Sequence, residues 1–258
     1  VERPSRLFQI FAPWVPCSLI VLAAWAIGWE GSICIVMSFP LMLVMSSLGG
    51  LVAGWLAKRS FGHALVAAAL PFALAPLESI MPRPVSMVTN RSEITIRASA
   101  AMVWPQVVQV PTIRDAEQRP ALFTALGFPR PVSATLDRDG LGGVRHARFE
   151  GNVLFLETIT RWEDERRIGF TIEAQTDAIP PTTLDPHVTI GGRYFDVLTG
   201  EYELQPLTGG RTRVVLTSTH RLPTTLNPYA GLWAGLVMRS IQRNILEVVR
   251  ARAESTAQ

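Results

Sequence analysis

Cysteine is nearly missing from this chain: two occur in 258 residues, Cys17 and Cys34, and both lie inside apolar runs. A disulfide framework and thiol chemistry are thereby excluded from everything beyond those runs. Lysine is scarcer still, Lys58 being the sole one among 24 basic residues. Charge of either sign is absent from Leu7 to Trp29 and again from Gly31 to Ala57. Soluble domains seldom carry even one such run, and about 20 uncharged, mostly apolar residues suffice to cross a bilayer.

What the chain does contain changes character near residue 85. Mean hydropathy is +0.24 overall, but residues 85–258 alternate charged and apolar positions as a soluble domain does. They hold 19 Arg against 18 Asp plus Glu, a balance of +1. The pI of 9.3 therefore does not report a basic patch, and nucleic acid is not an expected partner. At about 170 residues this half is large enough to bury a core of its own.

The expected organisation is a transmembrane anchor over 1–80, a linker over 81–90, a globular domain over 91–254 and a short tail. The anchor has spans at about 7–29 and 32–57, with 61–80 as a marginal third. The first run is too long for the apolar core of a signal peptide and has no small-residue cleavage motif at Gly28-Trp29-Glu30. Pro13 and Pro16 should kink it or delay regular helix, and Trp29 and Trp55 stand near run ends, where aromatic rings favour the interface. Arg3 and Arg6 before the first span, and Lys58-Arg59 after the second, place both ends in the cytoplasm by the positive-inside bias. The chain thus reads as an integral protein of a bacterial inner membrane. The reading taken is that 61–80 spans, which puts the domain on the extracytoplasmic side; a re-entrant 61–80 leaves it cytoplasmic.

In the globular half "RSEITIRAS" alternates as a strand. Two short helices follow, in "ASAAMVWPQVVQV" and "RPALFTALGF", the second stopped by Gly127 and Pro129. Strand patterns recur at 143–150, 153–162, 167–175, 192–204 and 211–221, with a proline-rich connection at 176–192 and room for a short strand at 187–190. The last element, "NPYAGLWAGLVMRSIQRNILEVVRARAE", is the strongest helix, with Asn227 as N-cap and Pro228 at the first helical position. Tyr229, Leu232, Trp233, Leu236, Ser240, Ile241, Ile245, Val248 and Val249 recur at helical spacing and should form its buried face. Arg239, Gln242, Arg243, Glu247 and Arg250 fall largely on the other. Roughly 27 residues span about 40 Å.

Strand, two short helices, antiparallel meander and long amphipathic C-terminal helix form an order that resembles the START-like, or helix-grip, superfamily, and within it the polyketide cyclase/dehydrase-like (SRPBCC) proteins. The resemblance is carried by "EITIRASAAMVWPQV", "GVRHARFEGNVLFLETITRWEDERRIGFTI" and "GRTRVVLTSTHRL" together with the last helix, and it covers about residues 90–254. It implies an α+β fold in which a curved antiparallel sheet wraps the long helix and leaves a cavity between them. It implies no single activity, because members of the family bind lipids, sterols, hormones and polyketides, and only some are catalysts.

Alternation then says what would line such a cavity. A two-residue turn at Gly151-Asn152 pairs Arg148 with Phe155 and His146 with Glu157. A turn at Glu163–Arg166 pairs Ile159 with Phe170 and Glu157 with Ile172. The face bearing Ile168, Phe170 and Ile172 is the buried one, so this register turns His146, Arg148 and Glu157 inward; a slip of one residue exchanges the faces. A buried carboxylate needs a partner or a proton, and Arg148 or His146 stands ready to supply the partner. His220 ends the inward set Val214, Leu216, Ser218. The cavity candidates are accordingly His146, Arg148, Phe155, Glu157, Ile159, Phe170, His220 and Trp233, although Trp104 and Trp233 equally suit a helix core.

No two histidines have metal-ligand spacing, and "GLGG" (140–143) precedes a strand and is a turn, not a phosphate cradle. No metal or cofactor is expected. The leading reading is a membrane-anchored domain holding a hydrophobic small molecule or lipid. A cyclase/dehydratase-type enzyme with His146, Glu157 or His220 as acid/base is the second, although no catalytic motif is identifiable. A structural or assembly protein with a filled cavity is the third.

Overall fold

A computed structural model describes residues 5–56, 83–118, 120–175, 191–192 and 194–256. The apolar run at 61–80 and the strand anticipated at 187–190 lie outside the described residues. The chain divides into two compact units, 1–83 and 84–258.

The first unit contains α1 (Arg6–Phe11), α2 (Trp14–Ala26) and α3 (Ser32–Leu56). The break between α1 and α2 falls at Ala12-Pro13, because Pro13 has no N–H with which to continue the ladder. Pro16 falls in the first turn of α2, where an N–H lacks an intrahelical partner in any case, and the helix accepts it. Small residues of α3 let it lie close to α1: a Cβ on Gly50 would come within 2.0 Å of the Gln9 carbonyl oxygen. Ser47 accepts from Trp14 Nε1 at 2.8 Å, and its hydroxyl reaches the Ile10 carbonyl at 3.2 Å. Away from that seam Leu19, Ile20, Leu22, Met42, Val44, Met45 and Leu48 are exposed. The stretches Arg6–Ala26 and Ser32–Leu56 are each long and apolar enough to cross a membrane.

The second unit is an antiparallel sheet that curls around a long helix, the helix-grip arrangement. Its strands are β1 (Val85–Ile96), β2 (Pro131–Leu136), β3 (Val144–Phe149), β4 (Leu154–Glu163), β5 (Arg167–Gln175), β6 (Asp196–Leu207) and β7 (Arg211–Pro223), in the order β1-β7-β6-β5-β4-β3-β2. Between β1 and β2 come α4 (Ala100–Val108), a 3-10 turn at Asp115–Glu117 and the single turn α5 (Leu122–Ala125); α6 (Asn227–Thr256) closes the chain. Register shifts after Ile159 in β4 and after Val197 in β6 add the local twist a curled sheet requires. The core lies where α4 and α6 cover the concave face, around Ile96, Val103, Val107, Ile168, Val214, Leu216, Leu246 and Val249.

Four expectations change. β1 begins at Val85, inside the stretch read as linker, because twelve residues pair continuously with β7 from Val85↔Pro223 to Ile96↔Thr212. β2 had no strand signal of its own; it opens on Pro131 and is a sheet edge, the place where a missing N–H costs no ladder bond. Asn227 begins α6, but its side chain does not cap the helix. Its Oδ1 accepts from Thr224 N at 3.0 Å, and its Nδ2 donates to the Pro84 carbonyl at 2.7 Å, tying the start of α6 to the start of β1.

The fourth concerns the first half of α6, which is rotated from the expected face. Leu232 and Leu236 are exposed, whereas Ala234, Val237, Met238 and Gln242 are buried. Met238 packs in one cluster with Ala147, Phe155 and Val197 of the facing sheet, and Gln242 turns to the same side to bond Ser92, Ser218 and the Asn90 carbonyl. Farther along, Val248 and Val249 are buried as the periodicity predicts.

Candidate functional site

The hairpin β3–β4 decides what enters the concave face. Its connection is a three-residue loop, Glu150-Gly151-Asn152, closed by Phe149 N donating to the Val153 carbonyl at 2.8 Å. Gly151 and Asn152 both adopt positive φ, 68° and 61°, which these residue types accept most readily. Glu150 stays out of the ladder because Arg130 claims it: its carboxylate accepts from Arg130 N at 3.0 Å and from Arg130 Nε at 2.9 Å. The pairs are therefore Arg145↔Glu157, His146↔Leu156 and Arg148↔Leu154. Relative to the two-residue turn this is a slip of one, and it exchanges the faces of β3 while leaving β4 as expected. His146 is half-buried on the outer face and Arg148 is exposed. The cation turned inward is Arg145.

Arg145 and Glu157 are 4% and 8% exposed, and Arg145 Nε donates to Glu157 Oε2 at 2.5 Å. Arg145 Nη1 donates to the Val107 carbonyl at 2.7 Å, one of the last-turn carbonyls of α4 that has no helical donor. The guanidinium lies 4.5 Å from the Phe170 ring centroid and 5.5 Å from that of Tyr202, within cation–π range. Phe170 in turn lies over Gly200, where a Cβ would meet its Cε2 at 2.4 Å. Burial pushes the Glu157 carboxyl above its ordinary range, with Arg145 working against that shift. Burial alone would loosen the Arg145 proton, but Glu157 and Tyr202 together outweigh it and the guanidinium is held charged. Burial likewise raises the Tyr202 phenol.

Between these residues and α6 is a cavity of about 90 Å³, walled mainly by Phe128, Phe149, Phe155, Phe170, Phe195, Tyr202, Met238 and Ile241. Its polar lining is Arg145, Glu157, Ser218 and Gln242. Gln242 is fully engaged: Oε1 accepts from Ser92 Oγ at 2.8 Å, and Nε2 donates to the Asn90 carbonyl and to Ser218 Oγ at 3.2 and 3.0 Å. Among the described residues no three His, Cys, Asp or Glu side chains converge as a metal site.

Of the sequence candidates, Phe155, Glu157 and Phe170 line the cavity. Ile159 is buried in the main core beside it. His220 is fully buried behind the wall, its ring 5.3 Å from Phe195 and its Nδ1 3.3 Å from Asn90 Nδ2. Its Nε2 has no hydrogen-bond partner among the described residues. Burial lowers the His220 pKa, so the ring is neutral at pH 7. Trp233 is half-buried and packs edge-on against Tyr229, apart from the cavity lining. Sequence reasoning missed Arg145, Tyr202 and Gln242. Tyr202 was legible from the alternation Gly200-Tyr202-Leu204, and Gln242 from its spacing of four from Met238 and three from Ile245.

No protein-family model matches the chain, and no curated protein matches it. Among solved structures it is similar to an aromatase/cyclase from Streptomyces, at 16% identity over 67% of this chain and 97% of that one, with a TM-score of 0.41. It is also similar to norcoclaurine synthase from Thalictrum flavum, at 11% identity over 68% of this chain and 99% of that one, with a TM-score of 0.41. A protein from Thermus thermophilus is 22% identical over 66% of this chain and all of its own, at the same score of 0.41. At those identities and scores the chemistry of the cavity rests on this chain's own residues.

Proposed function

We propose that this chain is a membrane-anchored domain that holds a hydrophobic small molecule or lipid between its sheet and α6. The observation that carries the reading is the cavity itself: an aromatic and aliphatic space with a few buried polar groups is the usual composition of a ligand site. A well-packed core leaves few voids larger than a water molecule, and here about 90 Å³ stays open. An engineered cavity of about 150 Å³ takes a benzene, so a ligand of ring size or larger enters as the walls part. Phe128, Phe149, Ile172, Phe195 and Ile241 are only partly buried and supply that movement. The apolar stretches Arg6–Ala26 and Ser32–Leu56 support anchorage in a bilayer, from which such ligands partition.

Native mass spectrometry of the detergent-purified full chain tests the ligand. A discrete non-protein adduct is expected, and Ile241→Trp, which fills the space, should remove it while shifting Tm by only a few degrees. No adduct in the parent chain, or one indifferent to Ile241→Trp, overturns the reading. Alkaline carbonate tests the anchor: full-length chain should stay with the membrane, and release of full-length or N-terminally shortened protein refutes integral anchoring. A second reading, acid/base chemistry in the same cavity, is favoured by the raised carboxyl of Glu157. It requires turnover of the bound compound that Glu157→Gln abolishes without releasing the compound.

A further inference from the structure

We propose that the cavity selects an uncharged ligand, a ring-sized apolar body bearing a hydroxyl or carbonyl, and that Glu157 excludes carboxylates. The inference rests on reading the cavity as a ligand site and specifies what that site accepts.

The charged side chains in the lining are one cation and one anion, Arg145 and Glu157, in mutual contact at 2.5 Å. Each spends its charge on the other. Arg145 keeps donors beyond those it gives to Glu157 and the Val107 carbonyl, but a ligand carboxylate that met them would share one guanidinium with a second buried anion. Glu157 is fixed in a central ladder between Arg145 and Ile172. Arg145 is pinned to the Val107 carbonyl and lies over Phe170. A second anion beside Glu157 would be an unpaired buried charge, which is strongly disfavoured. A ligand ammonium fares no better, since it would sit against Arg145.

An uncharged oxygen meets no such conflict. Among the described residues Glu157 takes its hydrogen bond on Oε2 alone, which leaves Oε1 to accept from a ligand hydroxyl. Ser218 Oγ already accepts from Gln242 Nε2, so its own hydrogen is available to a ligand carbonyl or hydroxyl. The aromatic walls suit a flat apolar ring, and since about 90 Å³ is less than the roughly 150 Å³ that takes a benzene, one ring is the smallest body that requires them to part.

Benzamide and benzoate, equal in shape and different in charge, test the selection. Titration calorimetry at pH 7 would use the full chain in lipid nanodiscs, with empty nanodiscs as blank. The parent chain should bind benzamide at least about tenfold more tightly than benzoate. Glu157→Gln keeps the side-chain shape but leaves Arg145 without its counter-ion, so the preference should reverse. Should that variant be too unstable to titrate, thermal unfolding reads the same reversal: benzoate should raise its Tm more than benzamide does, the opposite of the parent chain. Equal or tighter binding of benzoate by the parent chain overturns the proposal, as does a variant that still prefers benzamide. Failure of both probes to bind either protein overturns the cavity reading as well, a result distinct from binding without discrimination.

Discussion

Replacing Glu157 and Arg145 singly and together measures whether the inward-facing pair is what the geometry says. Both side chains are nearly inaccessible and in contact at 2.5 Å. Glu157→Leu strands a guanidinium that cannot reach water, which costs about 3–5 kcal/mol. Glu157→Gln retains one hydrogen-bond acceptor and should fall toward the lower end of that range. Arg145→Met strands the carboxylate instead, and also removes the donor to the Val107 carbonyl, an unsatisfied buried acceptor worth a further 1–3 kcal/mol or so. In the double variant, Arg145→Met with Glu157→Leu, both desolvation costs vanish and the orphaned Val107 carbonyl persists. Since apolar replacement of a buried pair is often neutral or stabilising, the double variant should lie within about 2 kcal/mol of the parent chain. The coupling energy is then about 3 kcal/mol or more, beyond what non-contacting residues show. For a unit of this size, each kcal/mol moves Tm by about 2–4 °C. Glu157→Leu should therefore melt about 6–20 °C lower by circular dichroism and Arg145→Met lower still, by about 8–30 °C, and the double should recover most of that loss. His146→Ala and Arg148→Ala, on the outer face, should stay within about 1 kcal/mol. Small effects at Arg145 with large ones at Arg148 would show that β3 sits in the other register, and the site would have to be redrawn around Arg148.

Other perturbations probe neighbouring parts of the argument. Glu117 accepts from Arg252 Nε and Nη2 at 2.9 Å each, which holds its pKa down at about 2. A depressed carboxylate stabilises the fold above its ordinary pKa and loses that contribution as pH falls toward 2. Arg252→Ala should therefore cost about 1–2 kcal/mol at pH 7, with the difference from the parent chain closing in acid-unfolding curves as Glu117 protonates. Gly200→Ala places a methyl 2.4 Å from the Phe170 ring, so it should lower stability by about 1–3 kcal/mol and shift the near-UV signal of the cavity aromatics. On α6, Leu236→Ser should change stability by no more than about 0.5 kcal/mol, whereas Met238→Ala should cost about 2–5 kcal/mol. The opposite ranking in thermal melts would restore the face that periodicity alone indicated.

The two apolar runs, the strand-rich half and the long closing helix are legible in the sequence, because these depend on local composition and on periods of two and 3.6 residues. So is the inward face of β4 and β5: Phe155, Glu157, Ile159, Ile168 and Phe170 are buried as alternation requires. Face assignment within one strand needs no partner once its apolar set is clear. Alternation does not fix the face of β3. β3 offers two faces of similar composition, Arg145 and Ala147 on one side, His146 and Arg148 on the other, so its own residues hardly discriminate between them. The choice is made by Arg130, which holds Glu150 out of the ladder and lengthens the loop by one residue. β2 and the rotation of α6 belong to the same class. The edge strand forms because β3 offers it a partner from Pro131↔Phe149 to Leu136↔Arg145. The helix turns Met238 and Gln242 inward because their partners, Phe155 and Val197 for the one and Ser92, Ser218 and the Asn90 carbonyl for the other, come from distant strands. Register and rotation are set by contacts between residues far apart in the chain, and no window of local sequence contains them.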